Sequence, residues 1–314
     1  MRYFESLYPR LEFGEPILLD SLVIEPIIAI KDLDDTILEE LLDIDTAFSK
    51  GLVSIKEVST GGSVEEVLIG NHASAPLVIL EGQGLEGAKQ NRVVQKTVVI
   101  PAESTIGVPV NCVERGRWRY NSNEFRPASF RAGPSVKMSK ASAMKMSVGS
   151  IQSEVWREVS ELSERLTSYS ASEDLGEILE SASRSNRVNF DHARDKSARF
   201  DGYGFKVSGG RVEFIELFGR KGWAKEALEK SLKEWLIDSE RGRSPLQLPL
   251  SMLKAKWRER PAVGVETQLL ADTECAGIAA EYKGALLHLF CAPEKRSMRP
   301  RPRSYRRDLF DIDE

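Results

Sequence analysis

The sequence predicts an α+β protein, in which an N-terminal antiparallel, sandwich-like β-sheet packs against a C-terminal part of helices and β-hairpins. Short β-branched runs separated by polar turns dominate residues 1–120. From Ser150 onward, apolar residues recur at three- and four-residue steps, as on an amphipathic helix. Two glycine-containing hairpin patterns follow, at 204–218 and 277–290. We therefore predict a β domain, a part with helices and hairpins, and a disordered tail, with the boundaries 1–148, 149–293 and 294–314.

The composition is that of an ordinary globular protein. Of the 314 residues, 41% are hydrophobic and 29% are charged, and the net charge of −4 gives no general attraction to nucleic acid. The three cysteines are an odd number without CxxC spacing, which argues against a disulfide scaffold and against a zinc ribbon. No apolar run approaches the ~20 residues of a membrane span, and charges interrupt the first residues. We expect a cytoplasmic protein with no bound metal and no membrane contact.

The first half of the chain reads mainly as strands. Asp45 is placed to cap a short helix, "TAFSK", which Gly51 ends. The runs "SVEEVLI" and "PLVIL" flank "GNHASA", which predicts a hairpin. The runs "RVVQKTVVI" and "TIGVPVNCV" follow after short polar connections, and this pattern favours an antiparallel sheet.

The second half reads mainly as helices and hairpins. A Ser-, Lys- and Met-rich stretch, "GPSVKMSKASAMKMSVGS", marks the change of texture. One helix carries a stripe that runs from Ile151 to Leu166, and "AKEALEKSLKEWLI" predicts a second helix with the solvent pairs Glu226–Lys230 and Glu229–Lys233. The two hairpin patterns resemble an internal repeat, and one gap in their alignment brings Glu216 opposite His288.

The glycines of "EGQGLEGAKQNR" spell G-x-G-x-x-G, the pattern of a dinucleotide-binding turn. That reading needs a helix after the glycines and then a parallel strand. Only nine residues separate Gly87 from "TVVI", whereas a crossover connection needs about a dozen or more. The sequence therefore predicts antiparallel pairing here and no dinucleotide cofactor.

The order of these strands predicts where the polar residues meet. If strands 76–80, 92–100 and 106–113 form an antiparallel meander, the last residues of the first and third share a sheet edge with the start of the second. Three charged residues then share that edge, and neighbouring segments add five more polar or aromatic side chains. The edge group is Glu81, Arg92 and Glu114, with Lys89, Gln90 and Asn91 from the glycine loop and Arg117 and Trp118 from "RGRW". Such a cluster either holds a ligand or is a structural set of ion pairs.

Four blocks in the sequence resemble one family. The blocks "EGQGLEGAKQNR", "VPVNCVERGRWRY", "QSEVWREV" and "LLHLF" are similar to the ARPP family, the ARG and rhodanese-phosphatase-superfamily-associated protein domain, over most of residues 10–291. The resemblance implies a link to NAD or ADP-ribose metabolism. It leaves open whether the chain is an enzyme.

The resemblance gives each residue at the edge an expected role. A phosphorylated nucleoside or ribose compound, such as ADP-ribose or an NAD-derived molecule, is the expected ligand. Lys89 and Arg92 would hold phosphate, and Gln90 with Asn91 would hydrogen-bond sugar or base edges. Trp118 would stack on a base. The carboxylates of Glu81 and Glu114 would bind ribose hydroxyls or act as general base, and Arg117 would complete the ligand-binding group.

A second hypothesis assigns the chain no ligand. It describes a non-catalytic scaffold or regulatory partner whose basic, Pro-rich tail is the binding element. Through this tail the protein would bind nucleic acid only weakly.

Two remaining residues are expected in the core. Cys112 shares a strand face with aliphatic residues, which predicts a buried and inert thiol, and His288 lies between Leu286 and Phe290 as a hydrogen-bonded core histidine.

Overall fold

Alternating apolar residues and frequent turn signals produce short strands, and the amphipathic stretches after residue 130 produce helices. The structure is a computed structural model that describes residues 7–19, 21–31, 33, 36–146, 150–185, 189–210, 212–239, 250, 257–261, 265–270 and 275–293. Within these residues it contains seven α-helices and eighteen strands, which confirms the α+β class. The predicted tail, 294–314, lies outside the described residues.

The helices range in length from about one turn to about five turns. They are α1 (Thr36–Glu39), α2 (Ile44–Ser49), α3 (Pro134–Met146), α4 (Ile151–Leu166), α5 (Leu175–Ser185), α6 (Phe190–Ser197) and α7 (Lys221–Ser239). Within the described part of the chain, no helix combines the length and the apolar character that crossing a membrane requires.

The strands fall into three sheets. They are β1 (Leu11–Phe13), β2 (Ile17–Leu19), β3 (Leu22–Ala29), β4 (Leu42–Asp43), β5 (Val53–Glu57), β6 (Glu66–Asn71), β7 (Leu77–Ile79), β8 (Gln83–Gly87), β9 (Arg92–Val94), β10 (Val98–Ile100), β11 (Ser104–Cys112), β12 (Phe125–Arg131), β13 (Gly204–Gly209), β14 (Val212–Phe218), β15 (Trp257–Pro261), β16 (Glu266–Leu270), β17 (Cys275–Tyr282) and β18 (Ala285–Pro293).

A nine-stranded sheet joins the two ends of the described chain. Its order is β1-β3-β13-β14-β18-β17-β16-β15, and β2 also pairs with β3. The two predicted hairpins, β13–β14 and β17–β18, lie side by side in it because β14 pairs with β18. Since β3 pairs with β13, this sheet takes strands from both sides of residue 148. The division into domains at that residue stays a prediction.

The other two sheets form the sandwich-like part. One has the order β10-β7-β4 and the other β12-β8-β9-β11-β6-β5. Aliphatic side chains from both sheets share one hydrophobic cluster, which includes Ile79, Ile100, Val108 and Val110. Burial of these side chains, at roughly 25 cal/mol per Å² of apolar surface, holds the two sheets together.

Helix α7 covers one face of the nine-stranded sheet. Its apolar side includes Leu228, Leu232 and Trp235, all buried as the periodicity predicts. The ring centroid of Trp235 lies 5.1 Å from those of both Phe205 and Phe214, and these edge contacts fix the helix on the strands.

The Ser-, Lys- and Met-rich stretch, for which the sequence predicted no element, contains helix α3. This stretch is a helix, Pro134–Met146, which packs against strands β14, β16, β17 and β18. Its inward face carries Lys137 and Lys140, both almost completely buried. The apolar period is absent because ion pairs, rather than aliphatic contacts, satisfy much of the buried face.

Local strand predictions also needed correction. The runs around "GNHASA" do not pair with each other: β6 pairs with β5 and β11, whereas β7 pairs with β10 and β4. The glycine motif is itself a strand, β8, which pairs antiparallel with β9, so the rejection of a dinucleotide turn is consistent with the fold. The cap of α2 is Asp43, whose Oδ1 accepts from the N–H of Thr46 at 2.7 Å, and not Asp45.

Candidate functional site

The predicted strand 92–100 is two strands, and this break separates the polar residues that the meander brought together. Arg92 is paired with Cys112, so the start of β9 and the end of β11 do share an edge near Glu114. However, Val98 is paired with Ile79, so the end of β7 lies beside the start of β10 and close to Thr97. The predicted single edge is therefore wrong for Glu81, whose N–H donates to Thr97 Oγ1 at 3.0 Å.

Glu114 is the centre of the group that remains at the edge. Its carboxylate accepts two hydrogen bonds from the guanidinium of Arg117, Nε to Oε1 at 2.7 Å and Nη2 to Oε2 at 2.6 Å. The N–H of Asn91 also donates to Oε2, at 3.0 Å. The other nitrogen of Arg117, Nη1, donates to the carbonyl oxygens of Ala88 and Arg119. Charge-assisted bidentate bonding of this kind fixes both side chains.

Asp174 joins this group, and the sequence interpretation missed it. Asn91 Nδ2 donates to Asp174 Oδ2 at 2.8 Å, and an isolated antiparallel bridge joins Asp174 to Glu114. The N–H of Glu177 donates to Asp174 Oδ1 at 2.8 Å, so Asp174 also caps helix α5. Burial is the largest cause that raises the pKa of Asp174 to about 6; the nearby Glu114 charge acts in the same direction, and the hydrogen bonds from the Glu177 N–H and from Asn91 oppose it. The local signal was the capping pattern of an Asp followed three residues later by a Glu.

A cleft of about 1240 Å³ lies beside this group. Four of the predicted site residues line it: Asn91, Glu114, Arg117 and Trp118. Helices α5 and α7, together with Asp174 at the N-terminus of α5, also line the cleft and contribute mainly charged side chains. Those charged residues are Asp174, Glu177, Glu180, Glu229, Lys230, Lys233 and Glu234. A concave site with a few convergent polar groups is the usual location for a small ligand.

Arg92 lies outside the residues that line the cleft. Its side chain is fully buried, and Nη1 donates to Gln90 Oε1 at 3.0 Å and to Cys112 Sγ at 2.8 Å. Nη2 donates to the carbonyl of Ser63 at 3.1 Å, and its carboxylate partner is Glu57 at 3.6 Å. If the edge group is a structural set of ion pairs, Arg92 should pair with Glu81 or Glu114, and this expectation is wrong because its carboxylate partner is Glu57. In this structure the guanidinium is occupied by protein acceptors.

Lys89 and Gln90 are likewise buried and turned to protein groups. Lys89 Nζ donates to the carbonyl of Gly61 at 2.7 Å and lies 5.2 Å from the ring centroid of Trp118. The Nε2 of Gln90 donates to the carbonyl of Arg115 at 3.4 Å. Neither residue is among those lining the cleft. Trp118 keeps 47% of its surface exposed and covers the two buried cations.

Glu81 belongs to a second, buried cluster beneath helix α3. Its Oε1 forms an ion pair with Lys140 Nζ at 2.7 Å, and its backbone carbonyl accepts from Arg131 Nη2 at 2.7 Å. Both acidic oxygens and the lysine are withdrawn from solvent. Because Lys140 neutralises Glu81 inside the protein, this carboxylate has a structural partner.

The same cluster contains Glu216 and His288. The hairpin alignment placed these two residues opposite each other, but the strand register pairs Glu216 with Phe290 and His288 with Phe218. His288 Nε2 lies 2.7 Å from Glu216 Oε1, and it must be the donor because an ionised carboxylate only accepts. Lys137 Nζ lies 2.5 Å from that oxygen. Burial opposes ionisation of Glu216, yet Lys137, His288 and Arg131 together hold its pKa below the ordinary value.

His288 behaves as the expected core histidine. Burial is the largest influence on it and lowers its pKa, so the ring is neutral and its 3.7 Å approach to Glu81 is not an ion pair. The neutral ring donates through Nε2, and Nδ1 is left to accept from Thr97 Oγ1 at 3.4 Å. The ring therefore connects Glu216 to the strand end at Thr97.

Cys112 is the buried thiol that the strand alternation predicted. Burial raises its pKa to about 12, which outweighs the opposing effect of the Arg92 charge. A thiol of this kind has almost no thiolate at neutral pH and is a poor nucleophile.

Glu234 is a buried acidic group on helix α7. It is 3% exposed, and neither carboxylate oxygen has a hydrogen-bond partner. Burial is the main cause that raises its pKa to about 8, with the Asp238 charge next. Lys137 and Arg165 lower the value without reversing the shift. Glu234 therefore carries a proton at neutral pH.

Within the described part of the chain, one group of carboxylates has a spacing that could hold a metal ion. The ligand oxygens of Asp43, Asp45 and Glu226 lie within 4.8 Å of one another. Lys230 Nζ lies 2.6 Å from Asp45 Oδ2 and 2.9 Å from Glu226 Oε1. The ammonium group already supplies the positive charge at this position, and the geometry gives no reason to add a cation.

Comparison with known proteins gives one family match. The family model described as "ARPP-1: ARG and Rhodanese-Phosphatase-superfamily-associated Protein domain" matches residues 10–292, nearly the whole described chain. No significant match was found among curated proteins or among solved structures.

Proposed function

Because the chain belongs to the ARPP-1 family, we propose that its cleft binds a phosphorylated nucleoside or ribose compound such as ADP-ribose. One observation carries this proposal. The cleft is lined by Asn91, Glu114, Arg117 and Trp118, all from the two segments on which the family resemblance mainly rests. Binding is the function proposed, and turnover of the bound compound is left open.

The base would lie against Trp118. Its indole is about half exposed at the cleft and is held from below by the Lys89 and Arg92 cations. A ring that is already fixed loses little side-chain entropy when a base stacks on it. Stacking of a base on an aromatic residue contributes roughly 1–3 kcal/mol.

The ribose would lie against the acidic group. The oxygens of Glu114 and Asp174 accept hydrogen bonds from the protein, and each carboxylate keeps further acceptor capacity because two oxygens offer about four lone-pair directions. Hydroxyl groups of a sugar are donors that match such acceptors. Arg117 and Asn91 hold the two carboxylates in place.

The phosphate would meet different cations from those first expected. Lys89 and Arg92 are buried beneath Trp118, whereas Arg119 and Lys233 line the cleft and are exposed. We therefore assign the phosphate contacts to Arg119 and Lys233. The scaffold hypothesis gains no support from the described residues, because its tail lies outside them.

A thermal-shift series tests the proposal. The full chain would be heated with ADP-ribose, NAD, AMP or inorganic phosphate at about 100 times the dissociation constant, where one specific ligand stabilises by about 2.7 kcal/mol. The variant Ala171→Trp puts a large ring on an exposed wall of the cleft and should abolish the shift. Ala198→Trp is the control, since Ala198 is also exposed but does not line the cleft. No shift with any of the four compounds would refute the proposal.

A further inference from the structure

The cleft is lined by a second aromatic side chain besides Trp118. Phe130, in strand β12, is half-buried and lines the cleft. Two glycines leave room for its ring: a Cβ at Gly84 would lie 3.1 Å from Phe130 Cε2, and a Cβ at Gly176 would lie 3.0 Å from Phe130 Cε1. The ring is therefore held between strand β8 and helix α5.

The two aromatic side chains belong to different ends of strand β8. The segment that carries Trp118 is attached at Ala88, whose carbonyl oxygen accepts from Arg117 Nη1 at 2.7 Å. Phe130 lies instead beside Gly84. At about 3.3 Å per residue, the part of β8 between these two points is about 10 Å long. Aromatic surfaces with this separation suit two rings of one ligand.

The volume of the cleft agrees with a ligand that has two rings. Clefts that hold a drug-sized molecule have volumes of roughly 300–1,000 Å³. The cleft of this protein, at about 1240 Å³, is larger. With its base against Trp118, ADP-ribose would present only a sugar at the other end, whereas a dinucleotide would present a second base there.

Acidic side chains accompany Phe130 at its end of the cleft. Glu177 and Glu180 follow Gly176 on the face of α5 that lines the cleft, one turn apart, and both are exposed. Helix α7 adds Glu229, which is also exposed.

Few cations balance these carboxylates. Lys230 is held by two carboxylates that do not line the cleft. Glu180 pairs with Arg184 at 3.3 Å, but both side chains are largely exposed, and such a pair contributes little. Among the described residues, Lys233 is the other basic residue that α5 and α7 bring to the cleft. A positively charged ring is therefore favoured over a neutral ring at this end.

We propose that the cleft has a second base subsite at Phe130, which takes a cationic aromatic ring such as the nicotinamide of NAD⁺. This inference rests on the proposed function, and it names the dinucleotides whose second base is positively charged as the ligand class. The planar cation would lie against the face of the Phe130 ring. Glu177 and Glu180 would balance its charge. The diphosphate would lie between the two bases, near Arg119 and Lys233.

Titration calorimetry of the full chain with NAD⁺, NADH and ADP-ribose tests this subsite. All three compounds contain ADP-ribose; the second base is a cation in NAD⁺, neutral in NADH and missing from ADP-ribose. NAD⁺ should bind about tenfold more tightly than ADP-ribose, since stacking of one base corresponds to about five- to 150-fold in affinity. It should also bind about threefold more tightly than NADH, because only the cation is attracted by the ring face and the carboxylates.

Two variants separate the ring from the charge. Phe130→Leu keeps an apolar side chain against the core, so ADP-ribose should bind as it does to the parent, while the affinity for NAD⁺ falls to that for ADP-ribose. Glu177→Gln/Glu180→Gln should abolish the preference for NAD⁺ over NADH. Glu161→Gln/Glu164→Gln on α4 is the matched control and should keep that preference. Its two residues have the same spacing, Glu161 also pairs with an arginine one turn away, and neither lines the cleft.

Equal affinity of the parent for NAD⁺ and ADP-ribose would overturn this inference without affecting the proposed function. A preference for NAD⁺ that survives in both Phe130→Leu and Glu177→Gln/Glu180→Gln would also overturn it. Absence of binding of all three compounds by the parent would overturn both the inference and the proposed function.

Discussion

Replacing Glu234 with Gln should make the protein's stability much less sensitive to pH. The pKa of this carboxyl is about 8 in the folded state against an ordinary value of 4.5. Below about pH 4 the group is protonated in both the folded and the unfolded state, and its charge has no effect on folding. As the pH rises toward 8, the unfolded chain loses the proton and the folded chain keeps it. Stability therefore falls with rising pH, and the loss levels off above the folded-state pKa.

The size of the effect follows from the same shift. Each pH unit between the two pKa values costs the parent about 1.4 kcal/mol relative to a side chain that does not ionise. The free energy of unfolding of Glu234→Gln minus that of the parent should therefore increase by about 3 kcal/mol between about pH 5 and pH 7. All other titrating groups are common to both proteins and cancel in the difference.

Urea unfolding followed by tryptophan fluorescence at about pH 5, 7 and 9 measures this difference. Glu229→Gln is the matched control, because the same chemical change on the same helix occurs at an exposed position. Its free energy of unfolding should change with pH in the same way as that of the parent. If the profile of Glu234→Gln also runs parallel to the parent, Glu234 is not held protonated, and the reasoning about its burial fails.

Two further predictions concern the buried ion pairs. Arg92→Ala should lower the free energy of unfolding by about 3–5 kcal/mol, because Glu57 then remains buried without its partner; a loss under about 1 kcal/mol in urea unfolding would contradict this. Lys140→Met should be comparably destabilising, and adding Glu81→Gln should restore part of the loss, since the second change removes the uncompensated charge. A double-mutant cycle measures this coupling, and simple additivity of the two changes would show that the pair does not interact.

The parts of the fold with strong local signals were predictable from the sequence. Helix α4 begins after Ser150 as expected, and the side-chain oxygen of Ser150 caps the helix. Both hairpins with glycine turns, at 204–218 and 277–290, were also predictable. The pair Glu226–Lys230 forms at 2.9 Å. In each case, local periodicity or turn chemistry agrees with the tertiary fold.

The parts that failed depend on long-range pairing. Nothing local in "RVVQKTVVI" marks the break after Val94, since every residue in the run is compatible with a strand. The two halves belong to different sheets, since β9 pairs with β8 and β11, whereas β10 pairs with β7. Helix α3 was missed because Lys137 and Lys140 count as polar in any periodicity, although their partners Glu216 and Glu81 bury them.

Part of the candidate site was also predictable from the sequence. Asn91, Glu114, Arg117 and Trp118 were found because they lie close together once strands β9 and β11 pair. Asp174 and Glu234 come from helices distant in sequence and reach the cleft only through tertiary packing. No pattern in one sequence connects them to the edge of β11.

The central claim, that this cleft is the ligand site, is tested most directly at Trp118. The affinity of the full chain for ADP-ribose would be measured by titration calorimetry for the parent, Trp118→Ala and Tyr169→Ala. Loss of the stacking surface should weaken binding by roughly 1–3 kcal/mol, or about five- to 150-fold. Tyr169→Ala removes another exposed aromatic side chain that does not line the cleft, and it should leave the affinity unchanged. If Trp118→Ala binds ADP-ribose as tightly as the parent, the base does not stack in this cleft, and the assignment of the site is contradicted.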